Sequence, residues 1–145
     1  MSMATDSRRC RELGQNANEA RAFLKQAVRE EELNKQEVRK LEEFISQSQG
    51  KLINLEQGLS IILASAVDLL RSLMKSKRRL PFPKPESAPE AIAQFKLIAD
   101  EKAQLKEAKQ LLAYRRDQLA QKRRDIPYFQ GALKKNADVQ RRNGC

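Results

Sequence analysis

Positive charge at helical spacing is the clearest pattern of chemical consequence in this chain. Lys102, Lys109, Arg116 and Arg123 recur every seven residues, and Lys122 and Arg124 flank the last of them. Residues seven apart fall on one face of a helix, so these side chains form a linear cationic row. Such a row suits contact with an acidic filament, an acidic polypeptide or the phosphates of a nucleic acid. Lys75, Lys77, Arg78, Arg79 and Lys84 make a second cluster with no acid among them, and Lys134 and Lys135, with Arg141 and Arg142, make a third. A structural use competes with each: long stems cover apolar area beside a seam, and cations near a helix C-terminus suit its dipole. Aromatic residues do not interleave with these charges, which argues against stacking on single-stranded nucleic acid.

Bond-making chemistry has little to work with. The 145 residues include no histidine, which removes the commonest general base and metal ligand. Cys10 and Cys145 are the only thiols and stand far apart in sequence, with no CxxC pair for zinc or an iron–sulfur cluster. Two such cysteines do not make a disulfide framework, and a reducing compartment is the simpler expectation. None of the five glycines forms a phosphate-cradling loop. The carboxylates fall among helical charge runs, where a solvated face explains them. We therefore expect no catalytic residue, no metal, no cofactor and no small-molecule substrate.

Composition points to helices that carry this charge. Charged residues make up 33% of the chain and aromatics only 5%, too few for a thick globular core. From Cys10 to Leu73 a 3-4 apolar spacing runs without a break. One row reads Cys10, Ala17, Leu24, Glu31, Val38, Ile45, Leu52, Leu59, Ala66, Leu73; the other reads Leu13, Ala20, Ala27, Asn34, Leu41, Ser48, Leu55, Ile62, Leu69. That periodicity is a strong coiled-coil signal. The seam is thin and Ala-rich over 13–27 and rich in Leu, Ile and Val over 38–73. Glu31, Asn34 and Ser48 interrupt it; Glu31 and Asn34 are either a weak layer or a polar layer that sets register. Within 52–74, Ile53, Ile61, Leu63, Val67 and Leu70 spread apolar character beyond the seam, so this stretch should touch more than one neighbour. It also carries Glu56, Asp68 and Arg71, and is expected to be too interrupted to span a bilayer.

Proline and glycine set the boundaries. Gly50, within SQSQGK at 46–51, is the expected kink of the first helix. Four of the five prolines crowd the segment KSKRRLPFPKPESAP, so the helix should end near Arg78 to Leu80 and give way to extended backbone over Leu80–Pro85. Ser87, with Glu90 as capping-box partner, should restart a helix. That helix should stop before Pro127, and Ile98, Leu105, Leu112, Leu119 and Ile126 mark its apolar row. The companion row reads Phe95, Lys102, Lys109, Arg116 and Arg123. One strong apolar position per heptad suits a helix that docks on another surface, and the over-apolar 52–74 stretch is the available one. Tyr128, Phe129, Leu133 and Val139 should form a short third helix.

The expected fold is thus all-α: a long helix, a Pro-rich basic hinge and a second helix in an antiparallel hairpin. The expected divisions are a disordered stretch at 1–9, a heptad helix at 10–78, a hinge at 79–87, a second helix at 88–126 and a basic segment at 127–145. The seam that joins the hairpin or its partners is Val38, Leu41, Ile45, Leu52, Leu55, Leu59, Ile62, Leu69 and Leu73 with Ile98, Leu105, Leu112 and Leu119. Candidate polyanion contacts are Lys75, Lys77, Arg78, Arg79, Lys102, Lys109, Arg116, Lys122, Arg123, Arg124, Lys134 and Lys135. The functional expectation is an intracellular coiled-coil assembly subunit, cytoplasmic or nuclear. By architectural analogy alone it is of the kind found in cytoskeletal, centrosomal or kinetochore complexes. Its partners would be other coiled-coil proteins or a second copy, with a basic face for an acidic polymer and no membrane insertion. The competing expectation is a basic helical dimer that binds nucleic acid.

Overall fold

The computed structural model describes residues 3–76, 82 and 84–145, with side chains from residue 7 onward. Two helices pack against each other as an all-α hairpin: α1, Met3–Lys75, and α2, Pro89–Arg142, with a single 3-10 turn, Pro85–Ser87, before α2. No strand occurs among the described residues. Lys77, Arg78 and Arg79, and most of the expected extended hinge, lie outside them.

Several expected boundaries move. Residues 3–9 are helical rather than disordered; no proline interrupts them, so the helix propagates outward from its anchored turns. α1 continues through Gly50, which faces open space. Its packed neighbours Ser48 and Leu52 hold the turn, and the entropic cost of the glycine is not enough to break it. α1 ends at Lys75, where the Ser76 hydroxyl donates to the Leu73 carbonyl at 3.0 Å and occupies one of the orphan acceptors of the last turn. α2 begins at Pro89, so buried Ala88 rather than Ser87 takes the cap position. The reason is Pro89 itself: proline fits the first helical position and forces the preceding residue to be extended.

The largest departure is at Pro127. α2 does not stop there but runs through it to Arg142, so no separate third helix forms. An interior proline removes a hydrogen bond and costs about 3 kcal/mol. Past it, Phe129, Leu133, Asn136 and Gln140 continue a half-buried side of α2, and the Phe129 ring stacks on Phe23 of α1.

The chain divides into two compact units, which we call terminal (Met1–Arg39 with Ala113–Cys145) and hinge (Lys40–Leu112). The core of the hinge unit is Ala66, Ala88 and Ala91, with Leu59, Ile62, Leu63 and Phe82 packed on it. Here the seam leaves its sequence phase. Leu69 is 48% exposed, and Leu70, at 8%, replaces it. A straight α-helix has 3.6 residues per turn and drifts from a 3.5 repeat, so the apolar contact passes from Ala66 to Leu70 and then Leu73.

In the terminal unit, Leu13, Ala17 and Ala27 of α1 and Leu119 of α2 are buried. The Phe23 and Phe129 rings stack with centroids 5.6 Å apart, and Tyr128 meets Phe129 edge-on. Cys10 and Cys145 form a disulfide with Cα atoms 5.8 Å apart, which corrects the expectation of two separate thiols. Gly144 prepares that bond. It adopts φ +72°, its N–H meets the Arg141 carbonyl, and the Cys145 N–H reaches the Gln140 carbonyl at 2.8 Å. This is a Schellman end, and it turns Cys145 back across the helix terminus toward Cys10.

Two outcomes follow for stability. Gly50→Ala should stabilise the fold by up to about 1 kcal/mol, since nothing obstructs a new Cβ. Gly58→Ala should gain less, because its Cβ would meet the Gln94 amide at 3.0 Å; urea unfolding of both variants checks the difference. Reduction, or Cys10→Ser, should cost up to about 5 kcal/mol, the loop-closure value for so long a separation. Unfolding midpoints that ignore reductant would show that the sulfurs are not bonded.

Candidate interaction surfaces

In each unit the seam carries polar crossings between apolar layers. In the hinge unit the Ser48 hydroxyl donates to Glu101 Oε1 at 2.6 Å, and Lys51 Nζ lies 3.4 Å from Glu101 Oε2. Glu101 is buried in the seam, and its carboxyl is held below its ordinary value of 4.5. The Ser48 hydrogen bond is the main cause, and with Lys51 it outweighs the burial that pushes the other way. Two turns nearer the hinge, Gln94 Nε2 crosses over Gly58 and donates to the Leu55 carbonyl at 2.9 Å. A side chain at 58 would stand in that path, which is why glycine suits it.

The terminal unit has its own crossings. Arg115 Nη1 donates to Asn34 Oδ1 at 3.3 Å, with Asn34 buried. Lys122 pairs with Glu30, and Arg123 Nε lies 3.9 Å from Glu31 Oε1. The hydrogen bond between Lys122 and Glu30 lowers the Glu30 carboxyl and raises the Lys122 ammonium. Glu31 and Asn34 thus meet cations of α2, which is the behaviour of a register-setting layer.

The expected seam residues are distributed as follows. Val38, Ile98, Leu105, Leu112 and Leu119 are buried, and Leu41, Ile45, Leu52, Leu55, Leu59, Ile62 and Leu73 are half-buried. Leu69 alone faces outward. The companion row of α2 is corrected. Phe95, Lys102, Lys109, Arg116 and Arg123 are exposed flanks, and the residues that face α1 stand one position earlier: Gln94, Glu101, Ala108, Arg115 and Lys122. Most of these are polar, so a search for apolar residues passed over them. The missing signal was complementarity, since Ser48 and Asn34 of α1 meet Glu101 and Arg115, each three residues after an apolar position of α2.

Of the expected polyanion contacts, Lys122 is half-buried in its pair with Glu30, and Arg123 and Lys102 lean on Glu31 and Glu56 of α1. Lys75, Lys109, Arg116, Arg124, Lys134 and Lys135 are exposed. The terminal unit holds 17 basic and 10 acidic residues.

Two apolar surfaces of the hinge unit stay open. One is a cleft of about 330 Å³ between the helices, lined by Leu41, Phe44, Gln104, Glu107, Ala108 and Leu111. The other is the outer face of α1 around Ile53, Ile61 and Met74. The most apolar window of α1 has a mean hydropathy of 1.4 and only 6% of it is buried. By length and composition alone that helix is sufficient to cross a membrane. No group of three or more metal-binding side chains occurs among the described residues. No protein-family model matches the chain, and comparison with curated proteins and with solved structures finds no significant match.

The shifted groups set a pH window. Glu30 and Glu101 are lowered, so their stabilisation is present above the ordinary carboxylate value and is lost as pH falls below 4.5. Lys122 is raised, so its contribution holds below 10.5 and is lost as pH climbs beyond it. Thermal melts should show a plateau between these limits. Glu101→Gln should flatten the acid limb, and an acid limb unchanged by that substitution would remove Glu101 as its source.

Proposed function

We propose that this chain is a non-enzymatic assembly subunit, a helical hairpin that receives an amphipathic helix of another protein in the open cleft of its hinge unit. One observation carries the reading. Leu41, Phe44, Ala108 and Leu111 line an open apolar groove between the two helices of the hinge unit. A groove of this kind is the usual receiver for a third helix, which anchors side chains at i, i+3, i+4 and i+7. Exposed apolar surface of this kind supports a binding role.

A second reading has its own support. The charge excess of the terminal unit, with Arg124, Lys134 and Lys135 exposed, favours contact with an acidic polymer such as nucleic acid. The two readings separate experimentally. A photo-crosslinking residue at Leu111 or Phe44 in the living cell should yield a discrete protein adduct, one absent when the crosslinker replaces exposed Glu43. No adduct at either position would overturn the assembly reading. Duplex DNA bound with an affinity that falls steeply with salt, and weakened by Lys134→Glu with Lys135→Glu, would establish the nucleic-acid reading in its place.

A further inference from the structure

We infer that the terminal unit holds a carboxylate-binding site at Arg115, filled by an acidic side chain of another protein or by a small organic acid. The site is independent of the cleft in the hinge unit. Arg115 is half-buried on the row of α2 that faces α1, and its guanidinium carries five N–H donors. Nη1 uses one of them on Asn34 Oδ1 at 3.3 Å. Nε is buried without a hydrogen-bond partner, and Arg115 forms no ion pair among the described residues. Farther along α2, Lys122 and Arg123 each meet a carboxylate of α1. Arg115 is thus a cation held between two helices by a neutral amide. Donors left unmet in such a place cost free energy, and an anion that supplies their acceptors recovers it.

There is room for one. A cavity of about 290 Å³ lies beside Arg115. Leu33 and Tyr114, both exposed, form its apolar walls, and Gln118 adds an amide. The Arg115 guanidinium carbon is 5.8 Å from the centre of the Tyr114 ring. Lys122 and Glu30 line the cavity as well, and each neutralises the other. The charge left over is the single positive charge of Arg115.

That lining selects the ligand. A planar guanidinium fork takes both oxygens of a carboxylate at once. One negative charge balances the one positive charge without a partner. A phosphate monoester would bring a second negative charge against Glu30. The walls of Leu33 and Tyr114 suit the carbon stem behind a carboxylate, a feature that inorganic anions lack. A carboxylate entering the cavity takes the donors that Asn34 leaves over, reaching Nε after a small turn of the guanidinium.

Nuclear magnetic resonance of the isotope-labelled full chain tests this. Sodium acetate should move the Arg115 Nε–H signal and the Gln118 side-chain amide signals along a saturating curve, and sodium chloride at equal concentration should not. Arg115→Gln, checked for helix content by circular dichroism, should weaken acetate binding read at Gln118 by roughly tenfold. Arg115→Lys keeps the charge without the fork and should weaken it less; should Arg115→Gln fail to fold, Arg115→Lys carries the comparison. Glu30→Gln should tighten binding, because Lys122 then joins Arg115 in facing the anion. A capped peptide with a single glutamate that binds more tightly than acetate assigns the carboxylate to a protein side chain, and equal affinities assign it to a small organic acid. Acetate that moves the signals no further than chloride overturns the proposal, as does acetate binding undiminished by either Arg115 substitution. Methyl phosphate bound more tightly than acetate would make the ligand a phosphate and overturns it as well.

Discussion

A carboxylate shut between two helices must be met by donors, and Glu101 is in that position. Ser48 and Lys51 supply them. An apolar seam alone is nearly degenerate: slide one helix along the other by a heptad and leucine still meets leucine. Such a slip in the hinge unit would press Glu101 against Leu41 or Leu55, where nothing donates. In the terminal unit the same slip would set Arg115 beside Ala27 instead of Asn34. Each unit thus holds a polar lock of its own. The apolar layers supply the greater part of the adhesion, and the crossings decide which turn faces which.

The thickness of the apolar layers explains the other devices. Alanine in the seam of the terminal unit lets the helices approach but buries little area, and the area removed from water sets the stabilisation. That unit adds a stacked phenylalanine pair, a charge pair between Lys122 and Glu30, and a disulfide. The hinge unit has larger side chains and a small alanine core under Phe82, and it lacks a covalent tie. Its surplus of apolar residues is left on the outside, in a cleft and on an outer face.

The helical hairpin was legible from the heptad and the proline cluster, because a seam repeat and helix breakers are local signals. The boundaries were less so. Pro127 reads as a stop when only its missing N–H is considered. The stack of Phe129 on Phe23 and the disulfide beyond it, which hold the helix to α1 past the proline, are not local. Leu69 and Leu70 show the same limit: both are leucines, and only the drift of a straight helix decides which one turns inward. The polar row of α2 escaped because one helix alone does not reveal it; Arg115 and Glu101 make sense only beside Asn34 and Ser48. The cysteines escaped because their separation of 135 residues hides the fact that a hairpin returns one to the other.

That return has a topological consequence. With Cys10 bonded to Cys145 and the polypeptide continuous between them, the covalent path is a closed loop. A single protease cut between the helices opens the loop without dividing the molecule, so both arms stay tethered and in register. Release of one arm then requires two separate events, a cleavage and a reduction, and neither suffices alone.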